Sequence, residues 1–183
     1  MESVTLHTLA VQVDNEAGVL SQVSRLFSRK GYNIESLAVG TTDNPKVSRI
    51  TIEVLADDAH AALICNQLRK LLPVHSVKQL KPSQAIRREL VLIKVRAMDS
   101  ESRSEVIQIA NIFRGSIIDV CAETLTISLI GAEEKIEAAQ MLLAGFGIKE
   151  LVRTGMIALE RGRYTIDENT KEKGEFNYGK HVL

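Results

Sequence analysis

Asp14-Asn15-Glu16-Ala17-Gly18-Val19-Leu20-Ser21 is the stretch on which the fold turns. Upstream of it, Leu9, Val11 and Val13 alternate with polar or small neighbours, the pattern of a half-buried strand over Val4–Val13. Downstream, Val19, Leu20, Val23, Leu26 and Phe27 recur at helical spacing and form one apolar stripe. Arg29 and Lys30 place positive charge in the last turn and Gly31 suits a C-terminal cap, so a helix is predicted from Gly18 to Lys30. The eight residues are therefore a strand-to-helix loop.

A second strand is expected over Ile34–Thr41, a turn at Thr42-Asp43-Asn44-Pro45-Lys46, and a third strand over Val47–Leu55 with Ile50, Ile52 and Val54 inward. Asp57 and Asp58 open a second helix whose stripe is Ala61, Ile64, Cys65, Leu68, Leu71 and Leu72. Pro73 stops it, and Val74–Leu80 is a fourth strand. The order is βαββαβ. A first domain at 4–81 is followed by a linker at 82–88, introduced by Lys81-Pro82-Ser83-Gln84, and a second domain at 89–160.

In the second domain the same order returns. Glu89–Ala97 is a strand with apolar residues on both faces, and Ser102 and Glu105 have capping-box spacing ahead of a helix that Gly115 ends. Strands over Ile117–Cys121 and Leu125–Ile130, a helix over Glu133–Ala144 and a closing strand over Ile148–Leu159 complete it. Identity between the halves is weak, so the repeat is architectural. The expected fold class is α+β: two ferredoxin-like βαββαβ domains, each a four-stranded antiparallel sheet with two helices on one face. Small units of this type cover the other face, or extend a sheet edge, by pairing, and a homodimer is expected. Residues 161–183, rich in Lys, Glu, Asp, Gly and Asn, read as a polar, flexible tail.

The 183 residues are 45% hydrophobic, enough for real cores, and Lys plus Arg balances Asp plus Glu at 23 each. A balanced chain has no overall attraction for nucleic acid or anionic membrane, and neither is expected as a partner. The apolar runs are too short to cross a bilayer and the first residues lack signal-peptide character, so a cytoplasmic location is expected. Cys65 and Cys121 sit in apolar patterns and read as buried thiols. His7, His60, His75 and His181 are scattered, and nothing local proposes a metal.

Two readings of the loop stand side by side. A helix beginning near Gly18 offers unpaired amides and positive dipole to a carboxylate, and Gly18 lets a ligand approach the backbone. Asn15 and Asn33 each offer a donor and an acceptor, and Ile34 an apolar wall, which together suit a small α-amino acid. Equally, Asn15 could cap the helix, Gly18 could serve a tight turn and Asn33 could be ordinary strand entry. Catalytic readings are weaker. There is no nucleophile motif and no Gly-rich phosphate loop, and Asp57-Asp58 and Glu133-Glu134 lie where acids stabilise helix starts. The acidic loop lacks the arginine an acylphosphatase would use. The strand Val47–Leu55 lacks the aromatic residues on which RNA bases stack.

Four runs carry a more specific signal: N-E-A-G-V-L-S at Asn15–Ser21, L-F-S-R-K-G-Y-N-I-E-S-L-A-V at Leu26–Val39, S-R-I-T-I at Ser48–Ile52 and I-F-R-G-S-I-I-D-V at Ile112–Val120. They resemble the regulatory (small) subunit of acetolactate synthase, also called acetohydroxyacid synthase. The resemblance implies an N-terminal ACT domain, a second ferredoxin-like domain and a homodimer that binds valine where two ACT domains meet. It implies a separate catalytic large subunit carrying thiamine diphosphate, magnesium and FAD, with no cofactor, catalytic residue or metal in this chain. By the same resemblance the valine contacts fall on Asn15, Ala17, Gly18 and Val19 of one chain and on Asn33 and Ile34 of the other, with Ser21 supporting. The implied function is activation of the catalytic subunit and valine feedback inhibition in branched-chain amino acid biosynthesis. An assembly subunit with little or no valine sensitivity is the alternative, and a free-standing ACT-type sensor a third.

Overall fold

The computed structural model describes residues 3–167. Its elements are β1 Thr5–Asp14, α1 Val19–Lys30, β2 Ser36–Thr41, β3 Val47–Ala56, α2 Asp58–Leu68, β4 Val74–Leu80, β5 Ala85–Arg96, α3 Ser100–Ile112, β6 Ser116–Val120, β7 Thr124–Gly131, α4 Glu133–Ala144, β8 Ile148–Arg153 and β9 Ile157–Glu160. They divide into two compact units, one reaching Ile86 and taking up the chain again from Met156, the other spanning Arg87–Gly155.

In the first unit the sheet order is β2-β3-β1-β4, all antiparallel. Leu9, Val11 and Val13 of β1 and Ile50, Ile52 and Val54 of β3 pack on Val23 and Phe27 of α1 and on Ile64, Cys65 and Leu68 of α2. These are the residues whose periodicity defined the elements, so burial of one face follows directly from the pattern. Gly31 closes α1 with φ 72°, its amide reaching Ser28 O at 3.2 Å while Tyr32 N donates to Phe27 O at 3.1 Å.

The second unit repeats the topology as β6-β7-β5-β8. Val91, Ile93 and Val95 of β5 and Leu125, Ile127 and Leu129 of β7 meet Val106 of α3 and Ile136 and Leu143 of α4. The repeat extends to a detail: β1 slips register against β4 at Gln12/Val13, and β5 slips against β8 at Lys94/Val95. Two ferredoxin-like units are what the sequence periods predict.

Several local expectations are corrected. Helix α2 ends at Leu68 rather than at Pro73. Its last turn tightens, with Lys70 N to Gln67 O and Leu71 N to Leu68 O, and Leu72 is thrown outward at 99% exposure. The cap of α3 is Asp99, which accepts from Ser102 N while the Ser102 hydroxyl returns to the Asp99 amide; the reciprocal box starts three residues earlier than Ser102/Glu105. Cys65 is buried, and burial pushes its thiol up, but Cys121 is exposed because strand β6 ends at Val120 on a mostly open edge.

The predicted single strand Ile148–Leu159 is two. Strand β8 stops at Arg153, Gly155 turns with φ 80°, and β9 belongs to the first unit. There the segment from Met156 to Asp167 lies across the sheet face that α1 and α2 leave open. Ala158 and Ile166 pack on Ala10, Leu80 and Ala85. Arg49 donates to Ala158 O at 2.9 Å, Met156 N donates to Ser36 Oγ at 2.8 Å, and Lys78 pairs with Glu160. The first sheet thus covers its open face with its own chain. The tail expected at 161–183 begins inside this packed segment, and its remainder, 168–183, lies outside the described residues. In the second unit, Ile130 and Val152 flank Leu90 and Leu92 on the face away from the helices and stay 60% and 54% exposed.

Candidate functional site

Gly18 caps α1 in the left-handed region at φ 88°, with no atom within 4 Å of where a Cβ would stand. No side chain caps this helix and its first turn holds no acid. Its first amide, Val19 N, reaches Glu16 O only at 3.4 Å. The other helices are supplied differently: Asp57 caps α2, Asp99 caps α3, and Glu133 and Glu134 occupy the first turn of α4. Among the described α-helices, α1 alone begins with neither a side-chain cap nor an acid. Its positive end is left to the solvent beside exposed Ala17.

Asn15 does not cap α1. Its Nδ2 donates to Pro45 O at 2.9 Å, its Oδ1 accepts from Ser48 Oγ at 3.0 Å, and its backbone amide reaches Lys46 O at 2.8 Å. It ties the strand-to-helix loop to the β2–β3 turn, and these bonds leave one amide hydrogen and one lone pair of the exposed side chain uncommitted. Val19 packs its side chain into the core, so only its backbone faces the loop. Ser21 is exposed, one turn along, and its carbonyl accepts from Ser24 Oγ at 3.2 Å.

Asn33 is elsewhere. It precedes β2, exposed, with Nδ2 donating to Glu35 Oε1 at 2.7 Å, while Ile34 leans half-buried on the first core. The register measures the separation. Asp14 stands opposite Val47, whereas Ser36 and Thr8 both stand opposite Glu53. The two positions are six residue steps apart along β3, roughly 20 Å at strand rise. One chain therefore holds the Asn15–Gly18 loop and the Asn33–Ile34 pair at opposite ends of its sheet and does not bring them together. The partners that fix the two asparagines, Ser48, Pro45 and Glu35, were not singled out in the sequence. Ser48 sits in the S-R-I-T-I run, and a hydroxyl two residues from the β2–β3 turn was the available signal.

Near the same loop, a polar hollow of about 390 Å³ is lined in part by Gln12, Asn44, His75, Ser76 and Asp167. His75 Nε2 meets Asp14 Oδ1 at 2.8 Å on its rim. No group of three or more His, Cys, Asp or Glu side chains suited to a metal occurs among the described residues, and no helix among them is long and apolar enough to span a membrane.

Comparison with known proteins adds to this geometry. Residues 9–76 match the family described as AHAS small subunit-like ACT domain, and residues 88–162 match the small subunit of acetolactate synthase. The chain belongs to the acetolactate synthase small-subunit family. It is 44% identical over 160 residues to a probable acetolactate synthase small subunit of Methanothermobacter thermautotrophicus, covering 87% of this chain and 95% of that protein. It is 46% identical over 158 residues to the acetolactate synthase small subunit of Aquifex aeolicus, covering 86% and 82%. The crystal structure of the small subunit from Thermotoga maritima superposes with a TM-score of 0.81 at 38% identity, covering 87% of this chain and 99% of that one. The four sequence runs had pointed to this family, and the two-unit fold is the family's. The protein is a regulatory small subunit with an ACT domain, belonging to branched-chain amino acid biosynthesis.

Proposed function

We propose that this small subunit senses valine at a site shared by two copies of the chain and passes that signal to the catalytic large subunit of acetolactate synthase. The observation that carries the reading is the start of α1. A helix with no side-chain cap and no acid in its first turn, opening on Gly18, suits the valine carboxylate. The uncommitted amide hydrogen and lone pair of Asn15 and the backbone of Ala17 and Val19 line the approach. Asn33 and Ile34 of a second copy supply polar partners for the ammonium group and an apolar wall for the side chain. Their separation within one chain is a reason for a dimeric site.

The first sheet offers β2 for that pairing. It is the edge strand next to β3, with Val39, Gly40 and Thr41 exposed. The exposed apolar face of the second sheet gives a second surface to bury. A homodimer in the cytoplasm, without a cofactor or active site of its own, is the form proposed. Without valine the docked dimer activates its partner. Valine shifts the dimer toward an arrangement that supports catalysis less well, because a ligand moves an equilibrium only by its differential affinity.

One observation favours the alternative of an assembly subunit with little valine sensitivity: both asparagine side chains already make bonds within the chain. Calorimetric titration of the chain with valine, with alanine as control, separates the two. Saturable binding near one valine per chain, lost in Asn33→Ala while activation of the catalytic subunit persists, is the expected result. Absence of binding both to the isolated chain and to the holoenzyme would leave the assembly role.

A further inference from the structure

The chain is neutral overall, yet one of its surfaces is not. Between α1 and α2 runs a groove of about 370 Å³ lined by Arg25, Arg29, Lys30 and Lys70 above a floor that includes Leu26 and Leu71. Helix α1 contains no acidic residue, and α2 contains only Asp58, at its first position. Among the described residues none of the four cations makes an ion pair or a side-chain hydrogen bond. Helix dipole accounts for Arg29 and Lys30, which lie in the last turn of α1. It also favours Lys70, which directly follows the C-cap of α2, but it does not account for Arg25 in mid-helix, and like charges gathered on one face repel one another.

We propose that this groove docks an acidic polypeptide segment of the catalytic subunit, an assignment that rests on the regulatory reading above. The cations supply the complementary field, and the two leucines supply apolar surface for the segment's aliphatic side chains. Nucleic acid fits less well, because no lining residue is aromatic and the chain as a whole carries no net charge. The groove is also free for the purpose. Helix α1 links β1 to β2 and α2 links β3 to β4, so the space between them lies over the interior of the sheet, and pairing through the β2 edge leaves it open.

The test is association of the full chain with its catalytic subunit, measured by surface plasmon resonance over a series of salt concentrations. Arg25→Glu/Arg29→Glu on α1 and, independently, Lys70→Glu should each weaken association about tenfold or more at low salt and flatten its salt dependence. Lys149→Glu, the same charge reversal on an exposed residue of the second unit, should leave both unchanged. All four side chains are exposed, and unaltered circular dichroism and thermal midpoints exclude unfolding as the cause. Wild-type association with unchanged affinity in the groove variants would overturn the assignment while leaving the regulatory reading intact. Failure of the wild-type chain to associate at all would overturn both. Saturable binding of inorganic phosphate, abolished by Lys70→Glu while subunit association is unaffected, would mark a small-anion site instead.

Discussion

Asn15 shows how one residue type supports two readings in sequence, a helix cap or a ligand contact, of which the structure removes the cap. Its type and its place before Gly18 are consistent with a helix cap; the structure turns it to Pro45 and Ser48, and α1 is left uncapped. Nothing in a linear pattern of periods reports which of two nearby acceptors a side chain chooses, since that depends on the β2–β3 turn folding back beside it. Capping by Asp57 was legible because an acid preceded a helical stripe. Capping by Asp99 was overlooked in favour of Ser102, which is its N3 partner. These two caps give a pH prediction. The His60 amide holds the Asp57 carboxyl below its usual range, and the Ser102 amide does the same for Asp99. A carboxyl depressed in the fold stabilises fully above its unfolded pKa of about 3.9, and that contribution is lost as pH falls through the lower folded value. Asn keeps a capping oxygen but does not titrate. Asp57→Asn/Asp99→Asn should therefore show a shallower fall of thermal midpoint than wild type between about pH 4 and pH 2. Identical acid limbs would mean the two caps hold no linked protons.

Elements with one buried face were legible, because a period of two or of 3.6 is the direct consequence of burying one side. What escaped was the return of the chain after Gly155. Ile157 and Leu159 continue the apolar character of β8, and only Thr154, Gly155 and Met156 separate the two strands, with the glycine at positive φ. The physical consequence is large. Segment 156–167 covers the open face of the first sheet, one of the two places where pairing was expected, with Ala10 fully buried beneath it. Ile166, 5% exposed, is its apolar anchor. Ile166→Ala should lower unfolding free energy by about 2–5 kcal/mol in urea denaturation, the range for removing a buried branched side chain. Leu72→Ala, at a residue read as core but 99% exposed, should change it by less than about 0.5 kcal/mol. Equal effects at the two positions would mean the segment does not hold to the sheet in solution.

At the scale of the whole molecule, the sheet's own length sets the logic of the site. The loop at Gly18 and the pair Asn33–Ile34 stand at opposite ends of β3, so a site containing both takes one from each of two chains. In a two-fold dimer every such site occurs twice, each with Asn15 from one copy and Asn33 from the other. This makes the dimeric reading separable from any single-chain site. Asn15→Ala and Asn33→Ala homodimers should each bind valine poorly, since both sites of each are damaged. A dimer mixed from the two variants gathers both substitutions into one site and leaves the other wild type. Refolding equal amounts together should therefore restore about a quarter of the wild-type valine capacity at wild-type affinity, since about half of the dimers are mixed and each carries one intact site. Calorimetric titration of the mixture reads that capacity directly, and the unmixed variants, handled identically, give the baseline. If mixing restores nothing although mixed dimers form, as mass spectrometry reads once one of the two isobaric variants is isotope-labelled, the two asparagines serve one chain each and the shared site is wrong. If each variant alone binds valine as well as wild type, neither side chain reaches the ligand, and the backbone at the start of α1 is the whole of the site.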